Sequence, residues 1–192
     1  MNFNMNIAIY CGSSFGSDIS YKTKTIQMIQ YLSKQDICIV YGGSKSGLMG
    51  TVSNEAMKLG TKVIGVITHN LADKEIENKA ITKLYKVENI RERKAKMEDL
   101  SDAFIALPGG FGTLEEISEV FTSIQIGLHN KPCALYNING YYDKFIDFLQ
   151  SNMDQGFVQK RHLDAIIISD DIEYIYTAFK NYKAPKNKWE KE

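Results

Sequence analysis

The sequence predicts an α/β protein with a doubly wound, mainly parallel sheet and helices on both faces. Two patterns and a length predict it. Continuously apolar, β-branched runs alternate with stretches of helical character, as in a sheet buried on both sides. Glycine-rich turns follow the first, second and fourth of the main runs, at Gly12, Gly42-Gly43 and Gly109-Gly110. The 192 residues suffice for one hydrophobic core.

The elements follow in order. Asn6 to Tyr10 reads as a first buried strand, with the turn Cys11-Gly12-Ser13-Ser14-Phe15-Gly16-Ser17 after it and a helix from Ile19 to Ser33. Ile37 to Tyr41 is a second strand, ending in Gly42-Gly43-Ser44-Lys45-Ser46-Gly47 before a helix from Leu48 to Leu59. Lys62 to Ile67 is a third strand. After a polar stretch come a short strand, Lys83 to Val87, and a charged helix, Ile90 to Leu100. Ala103 to Leu107 is the fourth main strand, and a helix from Leu114 to Ile126 follows its turn. Pro132 to Tyr136 and Ala165 to Ser169 are strands, and Tyr141 to Met153 and Ile172 to Phe179 are helices. Residues 1–182 read as one domain without repeat or linker, and the charged tail from Lys183 to Glu192 is expected to fray.

Composition narrows the function. Lys+Arg and Asp+Glu both number 23, so the net charge is zero and a broad nucleic-acid surface is not expected. No run is long and apolar enough for a membrane span. Cys11, Cys38 and Cys133 are far apart, as are His69, His129 and His162, so no metal spacing exists. Packed, reduced thiols and a cytoplasmic location are the expectation.

Chemistry concentrates in Pro108-Gly109-Gly110-Phe111-Gly112-Thr113-Leu114-Glu115-Glu116. Glycines between strand and helix let backbone approach a ligand closely, and a helix N-terminus offers free N–H groups and partial positive charge to a phosphate. Acids in a first helical turn also offset the macrodipole, which explains either glutamate singly. It does not explain three glycines, a threonine and two glutamates gathered at one strand end. A carboxylate here is repelled by phosphate, so Glu116 is assigned to a sugar or to a cation developing on one. The run Arg91-Glu92-Arg93-Lys94 is a second cluster. A helix start disfavours cations, and an anionic ligand nearby would relieve that. The turns lack the dinucleotide spacing G-x-G-x-x-G and the G-K-[ST] of a P-loop. No histidine near Cys11 in sequence marks it as a nucleophile, and the charged neighbours of Lys94 argue against a Schiff-base lysine.

Pro108-Gly109-Gly110-x-Gly112-Thr113-x-x-Glu116 with Arg93-Lys94 upstream resembles the LONELY GUY (LOG) family, whose members are often labelled lysine decarboxylases. Ile9 to Ser14, Tyr41-Gly42-Gly43 with Gly47-Leu48-Met49-Gly50, Val63 to Ile67, Lys131-Pro132 and Asn139 to Tyr142 extend the resemblance over almost the whole chain. The resemblance implies a Rossmann-like fold, a homodimer or larger homo-oligomer, and no metal or organic cofactor. It also implies hydrolysis of the N-glycosidic bond of an adenine-type nucleoside 5′-monophosphate. It places Arg93 and Glu116 at the catalytic positions. Substrate contacts fall on Glu75, Arg93, Lys94, Gly110, Phe111, Gly112, Thr113, Leu114, Glu115, Glu116 and Thr122. Glu75 and Thr122 rest on the resemblance alone. Ser44, Thr68, Arg91 and Ser123 depart from the family pattern, bearing on base selectivity and assembly. The alternatives are a nucleotide-binding sensor or carrier without hydrolysis, and a pyridoxal-dependent decarboxylase.

Overall fold

The computed structural model describes residues 5–75 and 77–190, with only the backbone for residues 73–75. The strands are β1 (Met5–Tyr10), β2 (Ile37–Tyr41), β3 (Lys62–Thr68), β4 (Lys83–Val87), β5 (Ala103–Ala106), β6 (Cys133–Tyr136) and β7 (Ile166–Ser169). They form a single sheet in the order β4-β3-β2-β1-β5-β6-β7, with every neighbouring pair parallel. The helices are α1 (Ile19–Leu32), α2 (Gly47–Lys58), α3 (His69–Glu75), α4 (Ile90–Leu100), α5 (Phe111–Gln125), α6 (Asp143–Asp154), α7 (Lys160–Leu163) and α8 (Ile172–Lys180). This is the doubly wound arrangement that the alternation predicts and the Rossmann-like fold that the resemblance implies.

Strand alternation divides the core into two layers. Ile7 and Ile9 of β1 face α1, α2 and α8, packing with Met28, Leu48, Val52 and Phe179. Ala8 and Tyr10 face α4 and α5, packing with Met97, Ile117 and Val120. The strand order reverses between β1 and β5. Such a switch point opens a crevice at the carboxyl ends of the strands.

Four elements differ from the sequence expectation. Helix α5 begins at Phe111, not Leu114, with Gly110 as a cap that offers no side chain. The polar stretch after β3 contains α3, started by the Thr68 hydroxyl, which accepts from Leu71 N (3.3 Å). The four-residue α7 lies between α6 and β7. The tail expected to fray is tied down as far as Glu190. Lys188 N donates to the Gln125 carbonyl (2.9 Å), one of the carbonyls left open at the end of α5. Arg161 Nη2 donates to the carbonyls of Asn187 (3.0 Å) and Glu190 (2.9 Å).

A turn after β6 fixes the end of β5. Asn139 there has φ 54°, in the left-handed region. The buried Tyr142 hydroxyl donates to the Leu107 carbonyl (2.6 Å). Tyr142→Phe is expected to lower stability by about 1–2 kcal/mol, because it leaves a buried carbonyl short of a donor. A urea midpoint unchanged from wild type would refute this.

Candidate active site

The crevice between β1 and β5 holds a cavity of about 240 Å³. Its rim is two turns pressed together. Gly12 N donates to the Pro108 carbonyl (3.1 Å). A Cβ at Gly109 would collide with Thr113 and lie 2.8 Å from Gly12 N, so glycine is required for this contact. Gly110 and Gly112, by contrast, have no atom of the described residues within 4 Å of where a Cβ would stand. They leave room for a ligand against the backbone. Because α5 starts at Phe111, the N–H groups of Phe111, Gly112 and Thr113 have no acceptor within the helix, and among the described residues no N-cap side chain takes them. An anion fits there.

Arg93 and Glu116 close the inner end. Arg93 Nε donates to the Val66 carbonyl (2.9 Å), Nη2 to the Gly42 carbonyl (3.3 Å) and Nη1 to Glu116 Oε1 (3.2 Å). One guanidinium thus ties together the ends of β2 and β3 and the first turns of α5. Gly42 is required beside it, because a Cβ there would collide with Nη2. The charge run at the start of α4 therefore sends Arg93 inward, while Arg91 stays exposed.

Of the residues expected to touch ligand, Arg93, Gly110, Phe111, Gly112, Thr113 and Glu116 line this cavity. Lys94 does not. It bridges Glu115 and Glu119 in a separate ion cluster. Burial alone would lower the Lys94 ammonium, but these two carboxylates outweigh it and hold the group above its ordinary value. That is the reverse of what a Schiff-base lysine needs. Leu114 packs toward the core, and Thr122 lies beyond the cavity on α5. The side chain of Glu75 falls outside the described ones. The site expectation omits Tyr10 and Met49, which also line the cavity. Their signal was position, at the end of β1 and two residues into α2. Burial, then the charge of Glu116, pushes the Tyr10 phenol well above its ordinary value, so it remains a neutral hydroxyl. Burial likewise pushes the Cys11 thiol far up, which makes it a packing group and not a nucleophile.

The model of the family described as "possible lysine decarboxylase" matches residues 49–179. The cytokinin riboside 5′-monophosphate phosphoribohydrolase LOG1 of Arabidopsis thaliana is 38% identical over 97% of this chain and 90% of its own length. The chain belongs to the LOG family. The rice (Oryza sativa subsp. japonica) enzyme LOG is 43% identical over 79% of this chain and 63% of its own length. Among solved structures, that of TM1055 superposes with a TM-score of 0.70 at 20% identity, covering 92% of this chain and 99% of that one, and shares the fold. Within this LOG-family chain, the Tyr141 hydroxyl donates to the Gly109 carbonyl and so holds the glycine turn from outside the cavity. Tyr141→Phe is expected to raise KM for a phosphorylated substrate about three- to ten-fold with kcat little changed, since it loosens the anion cradle alone. Unchanged steady-state constants would refute that role.

Proposed function

We propose that the chain hydrolyses the N-glycosidic bond of adenine-type nucleoside 5′-monophosphates, cytokinin riboside 5′-monophosphate or AMP, giving free base and ribose 5-phosphate. The observation that carries this reading is the placement of two demands in one cavity. The open N–H groups of α5 and the Glu116 carboxylate both face it. Phe111 and Glu116 are five residues apart on one helix, about 7.5 Å along its axis.

In this reading the backbone N–H groups of Phe111, Gly112 and Thr113 hold the 5′-phosphate and fix the ribose. As the C1′–N bond breaks, its electron pair leaves with the base and positive charge grows on the sugar. Glu116 stabilises that charge and takes a proton from the water that attacks C1′. Arg93 orients Glu116 and offsets the negative charge on the departing base, and the proton that Glu116 took passes through solvent to the base nitrogen, giving neutral base and restoring the carboxylate. The working form is a homodimer or larger homo-oligomer, and the three buried thiols suit a cytoplasmic protein.

Incubation with AMP, isopentenyladenosine monophosphate and the two free nucleosides tests the reading. The expected result is base and ribose 5-phosphate from the monophosphates only, with the faster base naming the preferred substrate. Nucleotide bound without release of base would replace the hydrolase reading by that of a sensor or carrier.

A further inference from the structure

A second cavity, of about 190 Å³, lies across α5 from the first. The α5 residues that line it are Ser118, Phe121, Thr122 and Gln125. At 3.6 residues per turn they fall on the side of the helix roughly opposite Glu116. Leu149 of α6 adds an apolar wall. His162 of α7 stands among these groups, 6% exposed, and neither of its ring nitrogens has a hydrogen-bond partner among the described residues. The Thr122 hydroxyl donates to the Ser118 carbonyl (2.9 Å), so its oxygen is left to accept.

The chemistry of the lining limits the ligand. Among the described residues no Lys, Arg, Asp or Glu lines the cavity, so its wall supplies no counter-charge to a phosphate or an ion. Burial, then the neighbouring Arg161 charge, holds His162 below its ordinary value, and the neutral imidazole offers one donor and one acceptor. The Gln125 amide offers the same pair. A glutamine of this kind meets the N6 amino group and N7 of adenine in a bidentate pair. Phe121 supplies an aromatic surface for a flat ring.

We propose that this cavity binds a neutral, planar nucleobase of the adenine class, at a site separate from the one that holds Glu116. Gln125 reads one edge of the ring, His162 satisfies its bare nitrogens on another, and Phe121 and Leu149 enclose the faces. The choice of adenine rests on the donor and acceptor pattern. The proposed hydrolysis adds that such a base is the product released on the other side of the same helix.

The test uses the full-length Glu116→Gln protein, saturated with AMP so that the catalytic cavity is filled, and titrated calorimetrically with adenine. Uptake of one adenine per chain is expected. In the same background His162→Leu and Gln125→Leu should each weaken adenine binding at least ten-fold while AMP affinity stays unchanged. Gln125 is only half-buried, so its variant tests the site even if His162→Leu misfolds. No adenine uptake under saturating AMP, or uptake unchanged in the folded variants, overturns the proposal and leaves the cavity to water. If AMP itself fails to bind, the hydrolase reading fails instead. Adenine titrated alone into the parent and the two variants then still decides this site.

Discussion

Glu116→Gln is expected to lower kcat by about 10³-fold while nucleotide affinity stays within a few-fold of wild type. The magnitude follows from the part assigned to the carboxylate. Positioned proton transfer contributes about 10² to 10⁴ in rate, and stabilisation of a developing sugar cation adds to it. Glutamine keeps the shape and one carbonyl-type acceptor for Arg93 Nη1, which lies 3.2 Å from Glu116 Oε1 in the native site. It cannot take the proton of the attacking water, and it carries no charge to set against the sugar. The backbone to which the phosphate is assigned lies on the first residues of α5, away from the altered group, so binding should survive. Single-turnover assay of base release together with calorimetry of AMP binding measures both quantities. A kcat within ten-fold of wild type would show that another group performs the chemistry. Loss of binding in step with kcat would show that Glu116 belongs to the ground-state contacts and not to the transition state.

Much of this architecture was legible in the sequence, because the strands carry their burial on their face. Ile37 to Tyr41 and Ala103 to Ala106 are apolar at every position, and both are buried throughout. The glycine run was legible for a related reason, since close contact between backbones leaves few residue choices. What escaped lacked such a periodic signal. In α3 the described side chains bury little beyond Ala72, and α7 is a single turn. The first turn of α5, Phe111-Gly112-Thr113, contains poor helix formers, so propensity places the helix start too late. Tyr10 and Met49 join the cavity only because the topology brings β1 and α2 to the same edge as β5. Lys94 shows the converse. Adjacency to Arg93 in sequence puts its side chain on another face of α4, where Glu115 and Glu119 take it. The resemblance assigned both lysine and glutamate to the substrate, and in the folded chain they engage each other.

Arg93→Ala is expected to abolish measurable turnover and to cost about 3–5 kcal/mol of stability, the range for breaking a buried ion pair from one side. The pair is well enclosed, with the two side chains 11% and 10% exposed. Truncation leaves the Glu116 carboxylate without its cation and the Val66 and Gly42 carbonyls without their side-chain donor. Arg93→Lys should recover only part of this. An ammonium is a point charge on a flexible stem and cannot serve three acceptors held in the plane of a fork. A kcat/KM about 100-fold below wild type is therefore expected for the lysine variant. The combination Arg93→Ala with Glu116→Ala separates the two effects. Each single change strands a buried partner, whereas the double change removes both charges together. Its loss of stability should be smaller than the sum of the singles by at least about 1 kcal/mol. Urea unfolding of the four proteins measures this coupling. Additive losses would mean that Arg93 and Glu116 do not sense each other in the folded protein. The proposed orientation of the carboxylate by the guanidinium would then have no energetic basis.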